Sequence, residues 1–466
     1  MLFNSIEFLA LFLPFVLLVA RFLKGQALLV WITLSSFVFY GFVGHPWFLV
    51  PIGFTTLFDF HLAKKIHAAN RPHLKKSLLA LSLCGNLGLL FYFKYLGLFV
   101  HTFRQIFQLS GPGNFAVDII LPAGISFYTF QTLSYIIDVY AGTAEPEENF
   151  WKFAGFVSFF PHLLAGPLTR HDQLMPGLGR IAEEGITPRW EEGIFLFVLG
   201  LSKKVLIADR IANLIDPIIH NMGTEGVLTS WLALFGYGVQ IYFDFSGYSD
   251  MAIGLGRLFG IELPQNFNQP CRAMNPSDYW SRWHITLSSW LRDYLYTPMV
   301  VRLIDAGFDV EKCMTWSLVA TMFLAGLWHG ANWTFAVWGI YHGLLLFIYQ
   351  TNKKTWNSWP TLVQRMATFF GVTFSWVFFR SPGFHEVGSW FMALVGAHGL
   401  DVHFRPNLNL IVRLALAFGI IYFTPNASNY KNFKKLPRFA HCGLGLLAVT
   451  ALLFMNYSSR FLYFQF

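Results

Sequence analysis

Charged residues are scarce in this chain. Asp, Glu, Lys and Arg make up only 12% of its 466 residues, whereas soluble globular domains carry about 25%. Hydrophobic residues reach 55% and include 52 Phe, which is more apolar surface than a soluble core of this length can bury. Apolar runs recur from one end of the chain to the other. We therefore predict an all-α, polytopic integral membrane protein whose single domain covers residues 1–466.

Cysteine and catalytic signature motifs are also sparse. The four cysteines are scattered at Cys84, Cys271, Cys313 and Cys442. They show neither CxxC nor metal-ligand spacing, so we expect inert thiols and no metal site. A GxSxG elbow, a P-loop and an HExxH motif are missing as well. The first apolar run, at 8–23, lacks a basic leader and a small-residue cleavage site, so we expect it to be retained as a span.

Basic residues exceed acidic ones by a net charge of +8. They do not alternate with aromatic residues as in a nucleic-acid groove, so we expect no nucleic-acid partner. They gather instead in short loops: Lys64, Lys65, Arg71, Lys75 and Lys76; Lys353 and Lys354; Lys431, Lys434, Lys435 and Arg438. Such loops favour the cytoplasmic side. Counting spans outward from them places both termini outside, with the aromatic tail 461–466 at the outer interface.

The apolar segments are long enough to enter or cross a hydrocarbon layer of ~30 Å. They lie near 8–23, 27–43, 47–66, 78–100, 119–140, 193–215, 228–258, 313–328, 333–350, 362–380, 409–424 and 439–457. We expect roughly 12 transmembrane or re-entrant helices. Residues 151–180 are apolar but are interrupted by Pro161, Gly166, Pro167 and Pro176. This pattern predicts a re-entrant or interfacial segment, since broken backbone is tolerated at membrane depth only where protein or water covers it.

Residues 276–298 predict an amphipathic helix. Trp280, Trp283 and Trp290 recur at helical spacing, and Arg282 and Arg292 lie largely opposite them. A helix with three tryptophans on one face fits the membrane interface or the floor of a cavity.

His329 lies between glycine and tryptophan residues in an apolar stretch that runs from Thr315 to Tyr349. An ionisable side chain at membrane depth is costly, and it therefore indicates a functional site. The alternative is a histidine that only bonds a neighbouring helix. We interpret His342, in the same stretch, as structural.

His284, in the amphipathic segment, forms a pair with His329. If Lys312 is cytoplasmic, the span 313–328 carries His329 toward the outer half of the membrane while His284 stays on the inner side. A group entering from the cytoplasm could then pass His284 and react near His329. Imidazole is suited to take a proton from an attacking hydroxyl. Paired membrane histidines also occur in proton relays, so spacing alone leaves both roles open.

Several motifs resemble those of the membrane-bound O-acyltransferases, in particular the alginate O-acetylation branch of that family. In chain order they are LPAGISFYTF at 121–130, FPHLLAGP at 160–167, YFDFSGYSDMAIG at 242–254, NFNQP at 266–270, WSRWHITLSSWLRDYLY at 280–296 and GLWHGAN at 326–332. The blocks cover essentially the whole chain, including its Tyr-Phe-Gln-Phe ending.

The resemblance implies an acyltransferase whose spans surround a central tunnel. The family's active-site histidine falls on His329 and its second histidine on His284, so both are expected to be catalytic. Trp328 and Asn332 would line the tunnel or orient His329. No resident cofactor is expected; the donor would be cytoplasmic acetyl-CoA, and acetyl groups would cross a bacterial inner membrane. A periplasmic SGNH-type acetyltransferase is the implied partner, and an exported polysaccharide, alginate-like, cellulose or peptidoglycan, is the implied final acceptor.

Buried charge in the 228–258 run has two interpretations. Asp244 and Asp250 either wall the tunnel or pair with Arg257, Arg282 or Arg292, and we favour the pairing because a bare carboxylate is costly there. Arg282, Arg292 and Asp293 could bind the phosphates of a coenzyme A donor. They could equally be interfacial anchors.

A different class of function remains possible from the residues themselves. The histidines could form a proton relay in a transporter that exports an acylated intermediate. Transporters usually contain paired broken helices in inverted repeats, and the broken region at 276–332 has no counterpart in the first half of the chain.

Overall fold

A computed structural model of the chain describes residues 1–108, 119–400, 408–424, 437–455 and 461–462. Every regular element in this part of the chain is a helix, and it contains no strand. The all-helical prediction is therefore confirmed. The basic residues Lys431, Lys434 and Lys435 and the terminal residues 463–466 lie outside the described residues.

Three helical stretches among the described residues are long and apolar enough to cross a membrane: Pro72–Ile106, Val310–His329 and Thr361–Arg380. Shorter apolar helices occupy Phe8–Ala20, Gly25–Gly41, Leu408–Phe423 and Phe439–Phe454. The membrane character is thus evident in the helices, while the count of roughly 12 spans stays a prediction.

Contacts between Cα atoms divide the chain into two compact units, one formed by residues 1–198 and 248–264 and the other by residues 199–247 and 265–466. The prediction of a single domain is not tested by this division. The helices up to residue 202 are α1 (Leu13–Ala20), α2 (Gly25–Gly41), α3 (Leu49–Ala68), α4 (Pro72–Leu90), α5 (Leu96–Ile106), α6 (Ile125–Ala141), α7 (Phe150–Ser158), α8 (Phe160–Leu163), α9 (His171–Glu184) and α10 (Trp190–Ser202).

The remaining helices are α11 (Asp209–His220), α12 (Val227–Phe259), α13 (Pro276–Trp280), α14 (Ile285–Leu291), α15 (Thr297–Asp305), α16 (Val310–His329), α17 (Trp333–Thr351), α18 (Lys353–Ser358), α19 (Thr361–Arg380), α20 (Phe384–Leu394), α21 (Leu408–Phe423) and α22 (Arg438–Phe454). Short π-helical segments occur at Phe8–Phe12, Phe91–Tyr95, Lys203–Ala208 and Arg292–Tyr296.

In the first unit, α3, α4 and α6 pack on one another around a buried carboxylate. Asp59 accepts hydrogen bonds from Ser82 Oγ at 2.6 Å and from Asn86 Nδ2 at 2.8 Å. Hydroxyl and amide donors thus replace the water that this carboxylate lost on burial.

The interrupted stretch 151–180 forms three short helices, α7, α8 and α9. The chain turns between α7 and α8 at Phe159, whose φ of −48° and ψ of 106° are not helical, and residues 153–169 are all buried. The predicted break in the helix is confirmed and is covered by protein, as broken backbone requires in an apolar setting. Its depth in a membrane stays a prediction.

In the second unit, α16 and α17 form a hairpin whose backbones lie very close together. A Cβ atom on Gly326 would collide with the carbonyl oxygen of Phe335, and one on Gly339 would collide with that of Met322. Small residues permit this approach between apolar helices, where close packing is the main source of association.

The predicted continuous amphipathic helix at 276–298 is wrong in one respect. α13 and α14 are separated at residues 281–284, where His284 has a left-handed φ of 44° and ψ of 53°. A non-glycine residue seldom adopts that conformation. Trp280, Trp283 and Trp290 are all buried in the protein, which agrees with the floor of a cavity rather than with the membrane interface.

Candidate active site

The turn that carries His329 joins α16 to α17. His329 is the last residue of α16, and Gly330 follows in an extended conformation where a Cβ would collide with the ring of Phe335. Asn332 caps α17, since its side-chain oxygen accepts from the Thr334 backbone N–H at 3.1 Å. Helix, glycine and cap together fix the direction in which His329 leaves the hairpin.

Asn332 was predicted to orient His329 through its amide. In the structure, the amide nitrogen donates to the carbonyl of Pro382 at 2.6 Å, and the amide oxygen forms the helix cap. Asn332 therefore acts on His329 through the backbone of the turn, because Gly330 ends the helix before the two side chains can align.

Three aromatic rings surround the imidazole of His329. Ring centroids lie 5.0 Å away at Trp328, 5.1 Å at Trp338 and 5.2 Å at Phe379. All three meet it at steep angles, as aromatic pairs prefer, and only 5% of the residue is exposed. This packing excludes bulk water and holds the ring in one orientation.

His284 lies at the break between α13 and α14 and is fully buried. Its Nδ1 is 3.1 Å from Asn266 Oδ1, an oxygen that also accepts from the backbone N–H and hydroxyl of Thr286. The Thr286 N–H can only donate, so this amide atom must be the oxygen and His284 Nδ1 must carry the proton. In the neutral ring, the lone pair therefore lies on Nε2.

The two histidines lie against the same indole. The Trp328 ring is 5.0 Å from the His329 ring and 6.0 Å from the His284 ring, and Phe245 closes the other side of His284 at 4.7 Å. The structure thus brings together His284, Trp328 and His329, as the tunnel hypothesis requires. Their catalytic roles stay predictions.

A cavity of about 450 Å³ lies along α16. Polar residues, including Glu311, Arg292 and Gln350, line part of it, and Leu318 and Met322 line another part. Met322 is seven residues before His329, which corresponds to about 10 Å along a helix. A pocket of this volume is in the range that small-molecule ligands occupy.

Aromatic contacts join this cavity to the histidine site. Trp280 lines the cavity, and its ring packs at 5.9 Å on Trp338, which in turn packs on His329 at 5.1 Å. Of the predicted donor-binding residues, Arg292 lines this cavity, whereas Arg282 and Asp293 are not among the lining residues. Cavity, Trp338 and His329 thus form one continuous arrangement in the second unit.

Comparisons with known proteins assign the chain to a family. Residues 146–383 match the model of the membrane-bound O-acyltransferase family, MBOAT. The chain belongs to this family. It is 37% identical over 436 residues to a Pseudomonas aeruginosa protein named "Probable alginate O-acetylase AlgI", which covers 91% of this chain and 81% of that protein.

Other relatives carry related names. The chain is 33% identical over 437 residues to the peptidoglycan O-acetyltransferase of Helicobacter pylori, covering 86% of this chain and 81% of that protein. It is 29% identical over 279 residues to a teichoic acid D-alanyltransferase of Bacillus subtilis, covering 56% of this chain and 69% of that protein. The chain is thus a membrane enzyme of the O-acyltransferase class.

The predicted arginine partner of Asp244 in this MBOAT enzyme is wrong. Asp244 Oδ1 instead accepts from Lys204 Nζ at 2.6 Å, and Asp209 Oδ1 accepts from the same nitrogen at 2.8 Å. All three side chains are buried. The arginines pair with nearer carboxylates: Arg257 with Glu192 and Glu262, Arg282 with Asp278, and Arg292 with Asp293. Asp250 is buried in the first unit.

The sequence pattern did not predict a role for Lys204. It lies next to Lys203 in the apolar run 193–215, and two adjacent lysines look like the basic residues that commonly flank a membrane span. A lysine inside such a run is itself a signal of a buried partner. The same cluster holds the C-terminal segment: the Leu462 backbone N–H donates to Asp244 Oδ2 at 3.0 Å, and Lys204 Nζ lies 4.7 Å from the centre of the Phe461 ring.

His342 has a clearer environment than the sequence indicated. Its Nε2 is 2.9 Å from Ser375 Oγ, which also accepts from the indole N–H of Trp338 at 3.2 Å. Since Trp338 also packs on His329, His342 supports the ring that bounds the candidate site. No group of three or more His, Cys, Asp or Glu side chains that could hold a metal ion occurs in the described ranges.

Replacing Lys204 tests the buried ion cluster. We expect Lys204→Met to reduce the free energy of unfolding by about 3–5 kcal/mol, because two buried carboxylates lose their cation. The triple variant K204M/D209N/D244N should recover much of that loss, since it removes the uncompensated charge.

Thermal unfolding of the purified protein in detergent measures both effects. Lys64→Met is the matched control, since Lys64 forms a more exposed ion pair with Glu148 and such pairs contribute at most about 1 kcal/mol. A K204M variant as stable as this control would contradict the assignment.

Proposed function

We propose that this enzyme moves acetyl groups from cytoplasmic acetyl-CoA across a bacterial inner membrane for O-acetylation of an exported polysaccharide. The observation that carries the proposal is the placement of two histidines against one indole beside a cavity of about 450 Å³. The names of the relatives support the acetyl group and two of the candidate polymers, alginate and peptidoglycan. Cellulose, the third candidate, rests on the sequence resemblance alone.

The cavity is suited to a thioester donor. Arg292 provides a cation for a phosphate group, and Gln350 adds a polar side chain to the same lining. The ion pair of Arg292 with Asp293 is largely exposed, so a phosphate can replace that carboxylate at little cost. The apolar part of the cavity, at Leu318 and Met322, accepts the less polar arm of the donor and directs its thioester toward Trp338 and His329.

His329 would act as the general base. Its imidazole takes the proton of the acceptor hydroxyl while the hydroxyl oxygen bonds to the acetyl carbon, and the carbon–sulfur bond then breaks. The proton passes from His329 to the leaving sulfur, so the products are an acetyl ester and free coenzyme A thiol. A base in this role typically contributes ~10²–10⁴ in rate.

His284 would position the reacting groups. The hydrogen bond to Asn266 keeps its proton on Nδ1, so the lone pair of the neutral ring lies on Nε2. The immediate acceptor is proposed to be a periplasmic SGNH-type acetyltransferase that passes the acetyl group to the polymer.

Histidine variants test the proposed roles. We expect His329→Ala to abolish acetylation, because it removes the general base. Expression and membrane insertion should be unchanged, because only one imidazole ring is lost and the contact between α16 and α17 remains. His284→Ala should reduce turnover less or weaken donor binding. Labelled acetyl-CoA with the purified enzyme and partner in liposomes measures transfer.

His385→Ala is the matched control, since His385 is an exposed histidine in the same unit. Near-normal transfer by the His329 variant would exclude catalysis by that residue. If the His284 variant behaved like the His385 control, the two-histidine tunnel would be wrong.

Filling the cavity tests donor entry. Thr315 lines the cavity, whereas Leu324 lies on an exposed face of the same helix. Thr315→Trp should raise the KM for acetyl-CoA roughly tenfold or more while Leu324→Trp leaves it unchanged, because only the first indole occupies the cavity. Equal KM values in the two variants would show that the donor binds elsewhere.

The C-terminal residues test topology and partner docking. Tyr463 to Phe466 lie outside the described residues, but Phe461 and Leu462 are anchored at the Lys204 cluster. Deleting 463–466 should preserve insertion and donor binding but uncouple polymer acetylation, since the tail is proposed to meet the periplasmic partner.

A cysteine added after Phe466 should react with impermeant maleimide in intact spheroplasts. Labelling only after lysis would place the tail in the cytoplasm.

A further inference from the structure

A second cavity, of about 470 Å³, lies in the first unit, and neither His284 nor His329 is among its lining residues. One wall is α1, through Leu13, Leu17 and Leu18, and Ile186 and Leu258 contribute to the others. Leu13, Leu17, Ile186 and Leu258 are buried, while Leu18 is 60% exposed. The cavity is therefore a groove with a buried apolar floor and an open apolar edge.

Positive charge is confined to one end of this groove. Arg21, one turn beyond Leu17, is the only charged lining residue among those the structure describes. Lys24 lies beside it, since its Cε would be 3.3 Å from a Cβ on Gly185, the residue before Ile186. The groove follows α1 and its C-terminal cap over nine residues, from Leu13 to Arg21, which is a rise of about 12 Å.

These two cations have no partner in the described part of the chain. Neither Arg21 nor Lys24 forms a side-chain hydrogen bond, ion pair or ring contact there, and the nearby acids Glu183 and Glu184 pair with neither. Arg189, by contrast, is neutralised by Glu192 and Glu262. Arg21 and Lys24 therefore offer uncompensated positive charge at the end of an apolar groove.

An exposed tryptophan also lines the groove. Trp190 lines the groove and is 52% exposed, and Ile194 follows one turn later with 48% exposed. Tryptophan is enriched where apolar chains meet polar headgroups, and basic pockets between membrane helices recruit anionic lipid headgroups. The sequence-based topology also places Arg21 on the same side as the basic Lys64 loop.

We propose that this groove binds an anionic phospholipid. One acyl chain occupies the groove beside Leu17, Leu18 and Ile194, and the phosphate lies between Arg21 and Lys24. The site is independent of acyl transfer, because its residues belong to the first unit and contribute nothing to the histidine site.

Thermal unfolding and native mass spectrometry of the full chain in detergent test the site with defined lipids. Phosphatidylglycerol should bind and stabilise the protein, whereas phosphatidylcholine should bind much more weakly. Arg21→Gln with Lys24→Gln should weaken phosphatidylglycerol binding roughly tenfold or more. Lys76→Gln is the control, since Lys76 is an exposed cation away from the groove, and it should bind like the parent.

A benzophenone side chain at position 18 identifies the occupant. A phospholipid adduct supports the proposal. A crosslink to a second copy of the chain would overturn it and make the groove a protein interface. Equal binding of the two lipids would also overturn it, because the negative headgroup would then play no role. Equal stabilisation by inorganic phosphate and phosphatidylglycerol would do the same, because the acyl chain would then play no role.

Discussion

The backbone contact between α16 and α17 at Gly326 and Gly339 determines where His329 lies in the second unit. Because neither position has a Cβ, the helices approach closely enough for the loop between them to be only three residues long. His329 is at the end of α16, so it is carried into the space beside Trp338 of the partner helix. A larger residue at either glycine would separate the helices and move the imidazole away from its ring contacts.

Aromatic rings do most of the positioning around the two histidines. Trp328 contacts both of them. Trp338 contacts His329, His342 and Trp280, and Trp280 lines the cavity. Rings that meet edge to face have a preferred geometry, and they hold the imidazole of His329 by packing. His284 differs, since Asn266 occupies one nitrogen and thereby assigns the proton to it.

Charged side chains in this apolar protein are stabilised in three different ways. Asp59 is satisfied by hydroxyl and amide donors, and Lys204 is satisfied by two carboxylates. Arg21 and Lys24, which have no partner among the described residues, are at the protein surface, where the proposed phospholipid would supply one. Asp244 of the Lys204 cluster also accepts a hydrogen bond from the Leu462 backbone N–H, so this buried ion cluster holds Leu462 in place.

The sequence by itself determined that the protein is all-helical and membrane-embedded, because composition and apolar run length depend on no distant contact. It also identified the family and both histidines, because their motifs are contiguous along the chain. Only the tertiary structure decided which groups meet. In the folded chain, Asp244 pairs with Lys204, α13 is separated from α14 at His284, and the Asn332 side chain bonds to the backbone of Thr334 and Pro382. Those outcomes depend on residues far apart in sequence, and no local pattern specifies which buried charge or ring will be nearest once the helices have packed.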